Sequence, residues 1–530
     1  MNNSHFDLGL ADTRTARPSP RWAATLALTL STVLAASPVE QRVEKLDPGL
    51  AAALRTKAGG RRPVLIQPQL AAESVSARAP TGERQRASRL RDTYQRLSRQ
   101  NQQAGMGIRA WLDRQGIAYR AFVVAPAIAA ELTVDQIAAL SARADVRHLA
   151  DDPLVHNRLP EPEPSRDACT GVAGLPWGVD RVRAPELWAL GFRGQGVVVA
   201  GQDTGYQWNH PGLIAQYRGN GTPVDHNYHW HDAIHVTTRP GTNPCGVDSN
   251  APCDDDNHGT HTMGSMVGED DGGGFTVGVA PDARWIGCRN MDRGDGRPST
   301  YLECFDWFLA PTDLNGANPD PAQAPHVINN SWGCPPSEGC TAANWGLLET
   351  AVDNLTAAGV LVVVSAGNAG SSCGSVVDPP AIFANAFTVA ATGSAANNPP
   401  ASFSSRGPVG VDGSNRLKPD IAAPGVNTCS TIRGGNYSNG FSGTSMAGPH
   451  VAGVAALLMS AFPDLRNNPP AVRDLLQQSA QALPDAQTCG GFPGSVIPNA
   501  VTGYGLVDAL AAYQAAQQMH LFRDGYEALP

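Results

Sequence analysis

Three short segments contain side chains that could together carry out acyl transfer. Asp203 follows the apolar run 198–200, His258 lies in an Asn-His-Gly-Thr-His segment, and Ser445 lies in a Gly-Thr-Ser-Met-Ala segment. Acyl transfer requires a hydroxyl that a neighbouring base makes nucleophilic, and a carboxylate that orients the base. The three segments therefore supply a candidate nucleophile, a candidate general base and a candidate orienting carboxylate.

Each segment has a second interpretation when it is taken alone. An Asp-Thr-Gly sequence is commonly a turn, His258 and His261 have a spacing that metal ligands can have, and Ser445 could cap a helix. No His-Glu-x-x-His pattern accompanies the histidines. Ser445 does not lie in a Gly-x-Ser-x-Gly elbow either, because Ala447 takes the place of the second glycine. The occurrence of all three segments in the order Asp, His, Ser favours catalysis.

The segments that must position these side chains alternate between short strands and helices. Apolar β-branched runs predict buried strands at 196–200, 327–328 and 359–364. Helical patterns lie at 342–358, 445–460 and 471–481. Such alternation predicts an α/β sandwich with a parallel sheet. Functional groups in such folds lie at the carboxyl ends of strands and the amino ends of helices, where Asp203 and Ser445 are expected.

Taken together, the three segments resemble the motifs of the subtilisin-like serine proteases, whose triad has the order Asp-His-Ser. The resemblance covers residues 174–512. It implies an α/β fold, a subtilisin-like three-layer sandwich with a mainly parallel sheet, preceded by a small α+β propeptide module. The segments 217–219, 225–230 and 306–313, with Asn-Asn-Ser-Trp-Gly at 329–333, look closest to the bacillopeptidase F subgroup.

The resemblance implies a role for each catalytic residue. Asp203 is the orienting carboxylate, His258 the general base and then acid, and Ser445 the nucleophile. Asn368, in a Ser-Ala-Gly-Asn segment after a buried strand, would donate its side-chain amide to the oxyanion, together with the Ser445 backbone N–H. His261 would then be structural. No redox or organic cofactor is needed for this chemistry.

The resemblance also predicts where an extended polypeptide binds. The segment 331–333 would pair with the substrate backbone. The walls of the main pocket would be formed by Ser331, Trp332, Gly333, Ser365, Ala366 and Gly367. Asp378 aligns with the pocket floor, where a carboxylate would favour Arg or Lys before the scissile bond. The alternative is that Asp378 caps the turn that follows it.

The front of the chain is predicted to be removed in stages. Residues 1–37 have the pattern of a signal peptide, since arginines precede an apolar run that is too short to cross a membrane. Residues 38–165 would form a propeptide, in which the module at 118–152 resembles the family's self-cleaved inhibitor and the Arg-rich part has no counterpart. Its expected parts are an Arg-rich helical part at 54–114, an inhibitor-like module at 118–152 and a Pro/Glu linker at 160–164.

Within the module, Thr133 would cap a helix whose apolar face contains Ile137 and Leu140, and a strand would follow at 145–149. The catalytic domain would span 166–515. The tail at 516–530 has no assigned role.

The composition agrees with a large exported protein. The chain has 530 residues, of which 42% are hydrophobic and 16% charged, so a large core is expected and global disorder is not. Residues 54–120 contain 14 basic against 4 acidic side chains (net +10), and residues 166–530 contain 17 against 32 (net −15). A basic front and an acidic body could attract each other, and the acidic body argues against a nucleic-acid ligand.

All 10 cysteines lie at or after Cys169, which predicts up to five disulfides and an oxidising compartment. The local pairs Cys245–Cys253 and Cys334–Cys340 are expected. The acidic segments 254–256 and 269–271 would suit Ca²⁺, which subtilases often bind, but neither matches a known calcium loop.

The sequence therefore predicts a secreted or periplasmic serine endopeptidase, a monomer made as a self-processed precursor. Its partners would be extended polypeptide substrates and its own propeptide as inhibitor, with no nucleic acid and no membrane anchor. Two other functions remain as alternatives: a secreted non-catalytic binding protein on the same fold, and an esterase. The intact catalytic positions argue against the first, and the missing Gly-x-Ser-x-Gly argues against the second.

Overall fold

The computed structural model describes residues 44–57, 59–70, 83–157, 159, 169, 174–270 and 274–527. The expected signal peptide and Pro/Glu linker lie outside these residues. The described residues all belong to one unit of chain contacts. Among them, no helix has both the length and the apolar character needed to cross a lipid bilayer.

The front of the chain forms a four-stranded antiparallel sheet with helices. Its elements are α1 (Pro48–Thr56), β1 (Arg61–Pro68), α2 (Glu83–Arg114), β2 (Tyr119–Ala121), β3 (Ile128–Thr133), α3 (Val134–Ser141), β4 (Val146–Asp151) and β5 (Val155–His156). The sheet order is β2-β3-β1-β4, and each pairing is antiparallel. The short strand β5 leaves this sheet and pairs with the body of the protein.

The predicted helix cap at Thr133 is confirmed. Thr133 Oγ1 accepts a hydrogen bond from the Gln136 backbone N–H at 3.3 Å, and Gln136 Oε1 accepts from the Thr133 backbone N–H at 2.9 Å. This reciprocal pair starts α3, whose Ile137 and Leu140 are buried as predicted.

The front module is larger than the expected 118–152. Strand β1 lies between β3 and β4, so the prediction of an all-helical Arg-rich part at 54–114 was wrong for residues 61–68. The apolar run there is short and flanked by arginines and proline, and the strand is defined by pairing with partners far along the chain. The helical part is real but runs over Glu83–Arg114.

The body of the protein alternates strands and helices. Its first elements are α4 (Trp177–Arg181), α5 (Ala184–Ala189), β6 (Val198–Asp203), β7 (Trp230–Asp232), α6 (His258–Val267), β8 (Glu269–Asp270), β9 (Phe275–Thr276), β10 (Arg284–Arg289), β11 (Met291–Asp292), β12 (Asp295–Gly296) and α7 (Pro298–Leu309). The remaining ones are β13 (Val327–Asn330), α8 (Ala342–Ala358), β14 (Leu361–Ser365), β15 (Phe387–Thr392), β16 (Ile421–Pro424), β17 (Thr428–Ile432), β18 (Asn436–Phe441), α9 (Thr444–Ala461), α10 (Pro469–Gln478) and α11 (Ala509–Glu527).

A seven-stranded sheet forms the centre of the body, in the order β16-β15-β14-β13-β6-β10-β7. Every pairing in it is parallel. All residues of β13 and β14 are buried, as expected for strands that helices cover on both faces. The predicted α/β fold with a mainly parallel sheet is confirmed. The predicted strands correspond to β6, β13 and β14, and the predicted helices to α8, α9 and α10.

Helix α9 is the buried helix of the core. Its residues from Thr444 to Ser460 are all buried, and it packs against α6 and against β13 to β16. Helix α6 begins beside the end of β6, where Gly259 allows a close approach, because a Cβ there would lie only 2.0 Å from the Gly205 carbonyl oxygen. The sheet and these two helices thus bring three chain segments to one region.

Five disulfides join the ten cysteines: Cys169–Cys429, Cys245–Cys253, Cys288–Cys304, Cys334–Cys340 and Cys373–Cys489. Both predicted local pairs are present. At the far end of the chain, α11 runs through most of the segment that was expected to be a separate tail from 516.

Candidate active site

Asp203 and His258 form a buried hydrogen-bonded pair. Asp203 ends strand β6, and His258 begins helix α6. Asp203 Oδ1 lies 2.7 Å from His258 Nδ1, and the two side chains are 2% and 0% exposed. The Thr204 backbone N–H also donates to Asp203 Oδ1, at 2.8 Å, and so orients the carboxylate. This pairing places the imidazole proton on Nδ1 and leaves Nε2 as the basic nitrogen.

The surroundings of His258 favour its protonated form. Burial lowers the pKa of His258, but the charge of Asp203 and the hydrogen bond to it outweigh burial, so the net shift of this pKa is upward. Nε2 is fully buried and has no hydrogen-bond partner among the described residues. A buried basic nitrogen without a partner is costly for stability, and it is suited to accept a proton from a reacting group.

Ser445 lies in the first turn of α9. Its Oγ lies 3.4 Å from the Ser331 carbonyl oxygen, and within the described residues no hydrogen bond joins it to His258 Nε2. The Ser331 hydroxyl donates to the Ser445 carbonyl oxygen at 2.9 Å, which ties the start of α9 to the end of β13. The structure therefore joins Asp203 to His258 directly, and it holds Ser445 with its hydroxyl turned toward Ser331.

Asn368 lies beside Ser445 and is held through its carbonyl end. Asn368 Oδ1 accepts hydrogen bonds from the Thr444 backbone N–H at 2.9 Å and from the Thr444 hydroxyl at 3.0 Å. The amide nitrogen Nδ2 has no partner in the described part of the chain, and Asn368 and Ser445 line the same cleft. A fixed amide donor beside a serine is the arrangement that stabilises an oxyanion.

The predicted pocket residues line this cleft, with one exception. Ser331, Trp332, Gly333, Ser365 and Gly367 all face it. Ala366 is fully buried and does not line it. The Trp332 ring stacks on Tyr301 at 3.8 Å between centroids, which fixes that wall.

Asp378 also lines the cleft, between the two walls. Its carboxylate lies close to Gly333 and Gly367, since a Cβ at either glycine would be 3.4 or 3.2 Å from Asp378 Oδ2. Burial, with a smaller contribution from the charge of Glu338, raises the pKa of Asp378 to about 6. The carboxylate accepts no hydrogen bond from the described residues, so it does not act as a side-chain cap of the following turn.

The end of the front module lies in the cleft. Strand β5 pairs antiparallel with β12, so that Val155 faces Gly296 and His156 faces Asp295. The Asn157 backbone N–H then donates to the Gly294 carbonyl oxygen at 2.9 Å.

On the other side of this tail, the Gly333 backbone N–H donates to Asn157 Oδ1 at 3.2 Å. Leu159 lines the cleft together with Ser445. Residues 155–157 therefore lie across the cleft as an added strand.

The sequence interpretation missed the strand that receives this tail. Gly294 and Gly296 flank Asp295 in a segment too short for a periodic pattern to identify. The available signal was the pair of glycines themselves. Gly294 has φ 90°, and a Cβ there would lie 2.8 Å from the Asn157 carbonyl oxygen, while a Cβ at Gly296 would meet the Tyr301 ring at 2.5 Å.

His261 packs inside the protein, as predicted for a structural residue. Its Nε2 lies 3.3 Å from the Thr428 carbonyl oxygen, and its ring stacks on Phe441 at 4.1 Å. Burial lowers the pKa of His261 to about 3, so the ring is neutral at ordinary pH.

In the acidic segment 254–256, protein groups bind carboxylate oxygens of Asp254 and Asp255. Asp254 accepts hydrogen bonds from Thr204 and Thr260 side chains at 2.8 and 2.5 Å. Asp255 accepts from the Arg293 backbone N–H at 2.9 Å. Within the described residues no three His, Cys, Asp or Glu side chains are arranged to hold a metal ion. Asp271, in the second acidic segment, lies outside the described residues.

Comparison with known proteins places the chain among the subtilisins and their relatives. The sequence profile of the subtilase family matches residues 194–505. Bacillopeptidase F of Bacillus subtilis (strain 168) is 38% identical over 359 residues, which are 66% of this chain but only 23% of that protein. M-protease of Shouchella clausii (strain KSM-K16) is 33% identical over 370 residues, 70% of this chain and 78% of the relative. Subtilisin of Bacillus pumilus is 34% identical over 311 residues, 58% and 92% of the two chains.

Proposed function

Because the chain belongs to the subtilase family of serine endopeptidases, we propose that it hydrolyses peptide bonds through Asp203, His258 and Ser445. The observation that carries the proposal is the 2.7 Å hydrogen bond between Asp203 Oδ1 and His258 Nδ1. This bond holds the imidazole in the tautomer whose Nε2 can accept a proton from a serine hydroxyl.

In the proposed reaction, Ser445 Oγ attacks the substrate carbonyl carbon and His258 Nε2 takes the hydroxyl proton. The oxyanion receives hydrogen bonds from Asn368 Nδ2 and the Ser445 backbone N–H. His258 passes the proton to the leaving amine, which departs and leaves an acyl-enzyme. Water then attacks the acyl carbonyl, with His258 again as the base, and Ser445 is restored. Asp203 stabilises the imidazolium in each step. For Ser445 to react, its hydroxyl must rotate from the Ser331 carbonyl oxygen toward His258.

The substrate is an extended polypeptide that adds a strand between β12 and the segment 331–333. Residues 155–157 already pair with β12 through backbone hydrogen bonds, which any peptide sequence can make. On the other side, the Gly333 backbone N–H donates to Asn157 Oδ1. Side-chain preference then depends on the pocket whose lining includes Asp378. Its carboxylate supports a preference for Arg or Lys before the scissile bond.

The front module is proposed to be a propeptide that inhibits the enzyme until it is cut off. Its tail occupies the cleft that a substrate would need. Since Asn157 and Leu159 flank residue 158 and both line the cleft with Ser445, we expect the chain to be cut beside residue 158. The mature enzyme would begin at or near Leu159 and keep all ten cysteines.

Export to an oxidising compartment is part of the proposal, with residues 1–37 as the signal peptide. Five disulfides form and persist outside the reducing cytosol. We expect the mature enzyme to act as a monomer and without a bound cofactor.

The test is the intact mass of the exported protein, with casein hydrolysis measured alongside, for the wild type and for Ser445→Ala. Removal of one hydroxyl leaves the fold unchanged, so a cooperative thermal transition of Ser445→Ala serves as the control for folding. The wild type is expected to lose its first ~158 residues and to digest casein, while Ser445→Ala loses only the signal peptide and digests no casein.

Equal trimming of both proteins would assign maturation to another protease and leave casein hydrolysis to decide activity. A trimmed, folded wild type that cleaves no protein would overturn the proposal. Binding without cleavage would then favour the binding protein, and cleavage of esters alone would favour the esterase.

A further inference from the structure

Helix α2 contacts the body of the protein at a place that is not the cleft. The helix has 32 residues and is therefore about 48 Å long. Near its start, Arg86 is only 6% exposed. Its Nη2 donates to the Ala324 carbonyl oxygen at 3.1 Å and to the Pro325 carbonyl oxygen at 2.6 Å. A guanidinium buried in this way is held by main-chain oxygens of the body.

One turn further along the helix, Arg89 makes a second contact of the same kind. Arg89 Nε donates to the Ala357 carbonyl oxygen at 2.6 Å, and Nη1 donates to the Asn467 carbonyl oxygen at 2.8 Å. One planar guanidinium thus joins two separate segments of the body. A lysine ammonium has no second donor group with this spacing, so charge alone does not reproduce the contact.

Three of the four carbonyl groups lie at the ends of helices. Ala324 follows the 3₁₀ turn Pro321–Gln323, Ala357 lies in the last turn of α8, and Asn467 ends the 3₁₀ turn Pro463–Asn467. The last carbonyls of a helix have no partner within it and carry its partial negative charge. Arginine donors are therefore well matched to this surface, which we call the distal arginine site.

The distal arginine site lies beside the amino ends of strands β13 and β14, and the cleft lies beside their carboxyl ends. Pro325 precedes the start of β13, and Ala357 precedes the start of β14. The cleft residues Ser331 and Ser365 come at the other ends of the same two strands. Among the contacts of the front module, the distal arginine site and the tail in the cleft thus lie at opposite ends of these two strands.

We propose that the distal arginine site is a second binding site for the propeptide, which retains the cleaved propeptide on the enzyme after the tail has been cut. The inference rests on the proposed function, because it requires that the front module is cleaved and then released. A contact at a separate place slows dissociation, since it keeps the rest of the cleaved propeptide close to its binding surface when the other contacts open. The site therefore sets how long the enzyme stays inhibited after cleavage.

The test measures release of the propeptide from full-length chains that have been allowed to cleave themselves. Each cleaved complex is diluted to a low concentration, and the appearance of activity on a small peptide substrate gives the release rate. For Arg86→Ala/Arg89→Ala we expect release at least about tenfold faster than in the wild type, because several hydrogen bonds from charged donors are lost. Arg86→Lys/Arg89→Lys keeps the charge and should also release faster.

The matched control is Arg91→Ala/Arg99→Ala. These two arginines lie on the same helix, are exposed, and their removal changes the net charge by the same amount. The control should release within about twofold of the wild type. A release rate of Arg86→Ala/Arg89→Ala that equals the wild-type rate would overturn the inference. Equally faster release from this variant and from the control would assign the effect to overall charge and would also overturn it.

A wild type that never cleaves itself would instead count against the proposed function. The distal arginine site is then tested in Ser445→Ala, where hydrogen exchange of the first turns of α2 should accelerate in Arg86→Ala/Arg89→Ala and stay unchanged in the control. No acceleration there would overturn the inference. If the double alanine variant does not fold, Arg89→Lys is measured in its place against Arg91→Lys.

Discussion

Replacement of Asp378 by asparagine tests the pocket through its pH dependence. The carboxylate lies between the two pocket walls, and burial together with the charge of Glu338 raises the pKa of Asp378 to about 6. A carboxyl group with a raised pKa is neutral below that value and charged above it. The preference for Arg over an uncharged residue before the scissile bond should therefore grow as the pH rises through 6.

The size of the effect follows from this pKa. With a pKa of about 6, roughly 10% of the enzyme carries the charge at pH 5 and roughly 99% at pH 8. A hydrogen bond between charged groups contributes about 1.5–3 kcal/mol, or about 10- to 100-fold in selectivity. The ratio of kcat/KM for Arg over Phe should thus rise up to about tenfold between pH 5 and pH 8.

The assay compares two peptides that differ only in Arg or Phe before the cleaved bond. The titration of His258 affects both peptides equally and cancels in the ratio. Asp378→Asn should give a low ratio that does not change with pH. Glu338→Gln, the control, removes a neighbouring negative charge, so it should keep the rise but shift its midpoint to lower pH. A strong preference for Arg that survives in Asp378→Asn would refute the reasoning. A wild-type ratio of kcat/KM for Arg over Phe that does not change from pH 5 to 8 would refute it as well.

Three further predictions concern the oxyanion, the propeptide interface and the longest disulfide loop. Asn368→Ala should lower kcat roughly 100- to 1000-fold with little change in KM, a magnitude known from subtilisin, a relative of this protein; steady-state kinetics on a peptide substrate would measure it, and a loss confined to KM would contradict it. Burial raises the pKa of Asp152 to about 6 although Ser299 donates two hydrogen bonds to its carboxylate. The complex therefore binds this proton more tightly than the separated partners do, so propeptide affinity should fall as pH rises from about 4 to about 6. The release rate of the wild type should increase over that range, and the release rate of Asp152→Asn should not. The Cys169–Cys429 bond closes a separation of 260 residues, and chain-entropy arguments give it about 5 kcal/mol, so the double serine variant of the mature enzyme should melt about 7 °C lower by calorimetry.

The body of the protein was largely predictable from the sequence because its signals are local. The 17-residue helix at 342–358 and the buried strand after it are continuous patterns. The helix was predicted with its observed bounds and the strand, predicted at 359–364, is observed at Leu361–Ser365. Asp203, His258 and Ser445 were predicted as catalytic residues because each lies in a distinctive segment. The direct contact between Asp203 and His258 could not be read from the chain, since it depends on the packing of α6 against the end of β6.

Features defined by distant contacts were missed. Strand β1 has only three consecutive apolar residues, and its place in the sheet depends on partners more than 60 residues away. Arg86 and Arg89 look like Arg91 in the sequence, where a charged residue on a helix is taken to face solvent. Only the three-dimensional contacts separate these two arginines, which bind main-chain oxygens of the body, from the exposed Arg91. Strand β12 has two residues, and its role depends on the tail that pairs with it.

The tail that pairs with β12 is covalently part of the chain whose cleft it occupies. Any cut beside residue 158 in this arrangement is a first-order event, with a rate constant that does not depend on protein concentration. Destruction of the released propeptide by enzyme already set free is a bimolecular step. On a gel, the cleaved band should therefore appear with a rate constant that does not depend on protein concentration. In an activity assay, turnover should then rise sigmoidally, after a delay that shortens as the protein is made more concentrated.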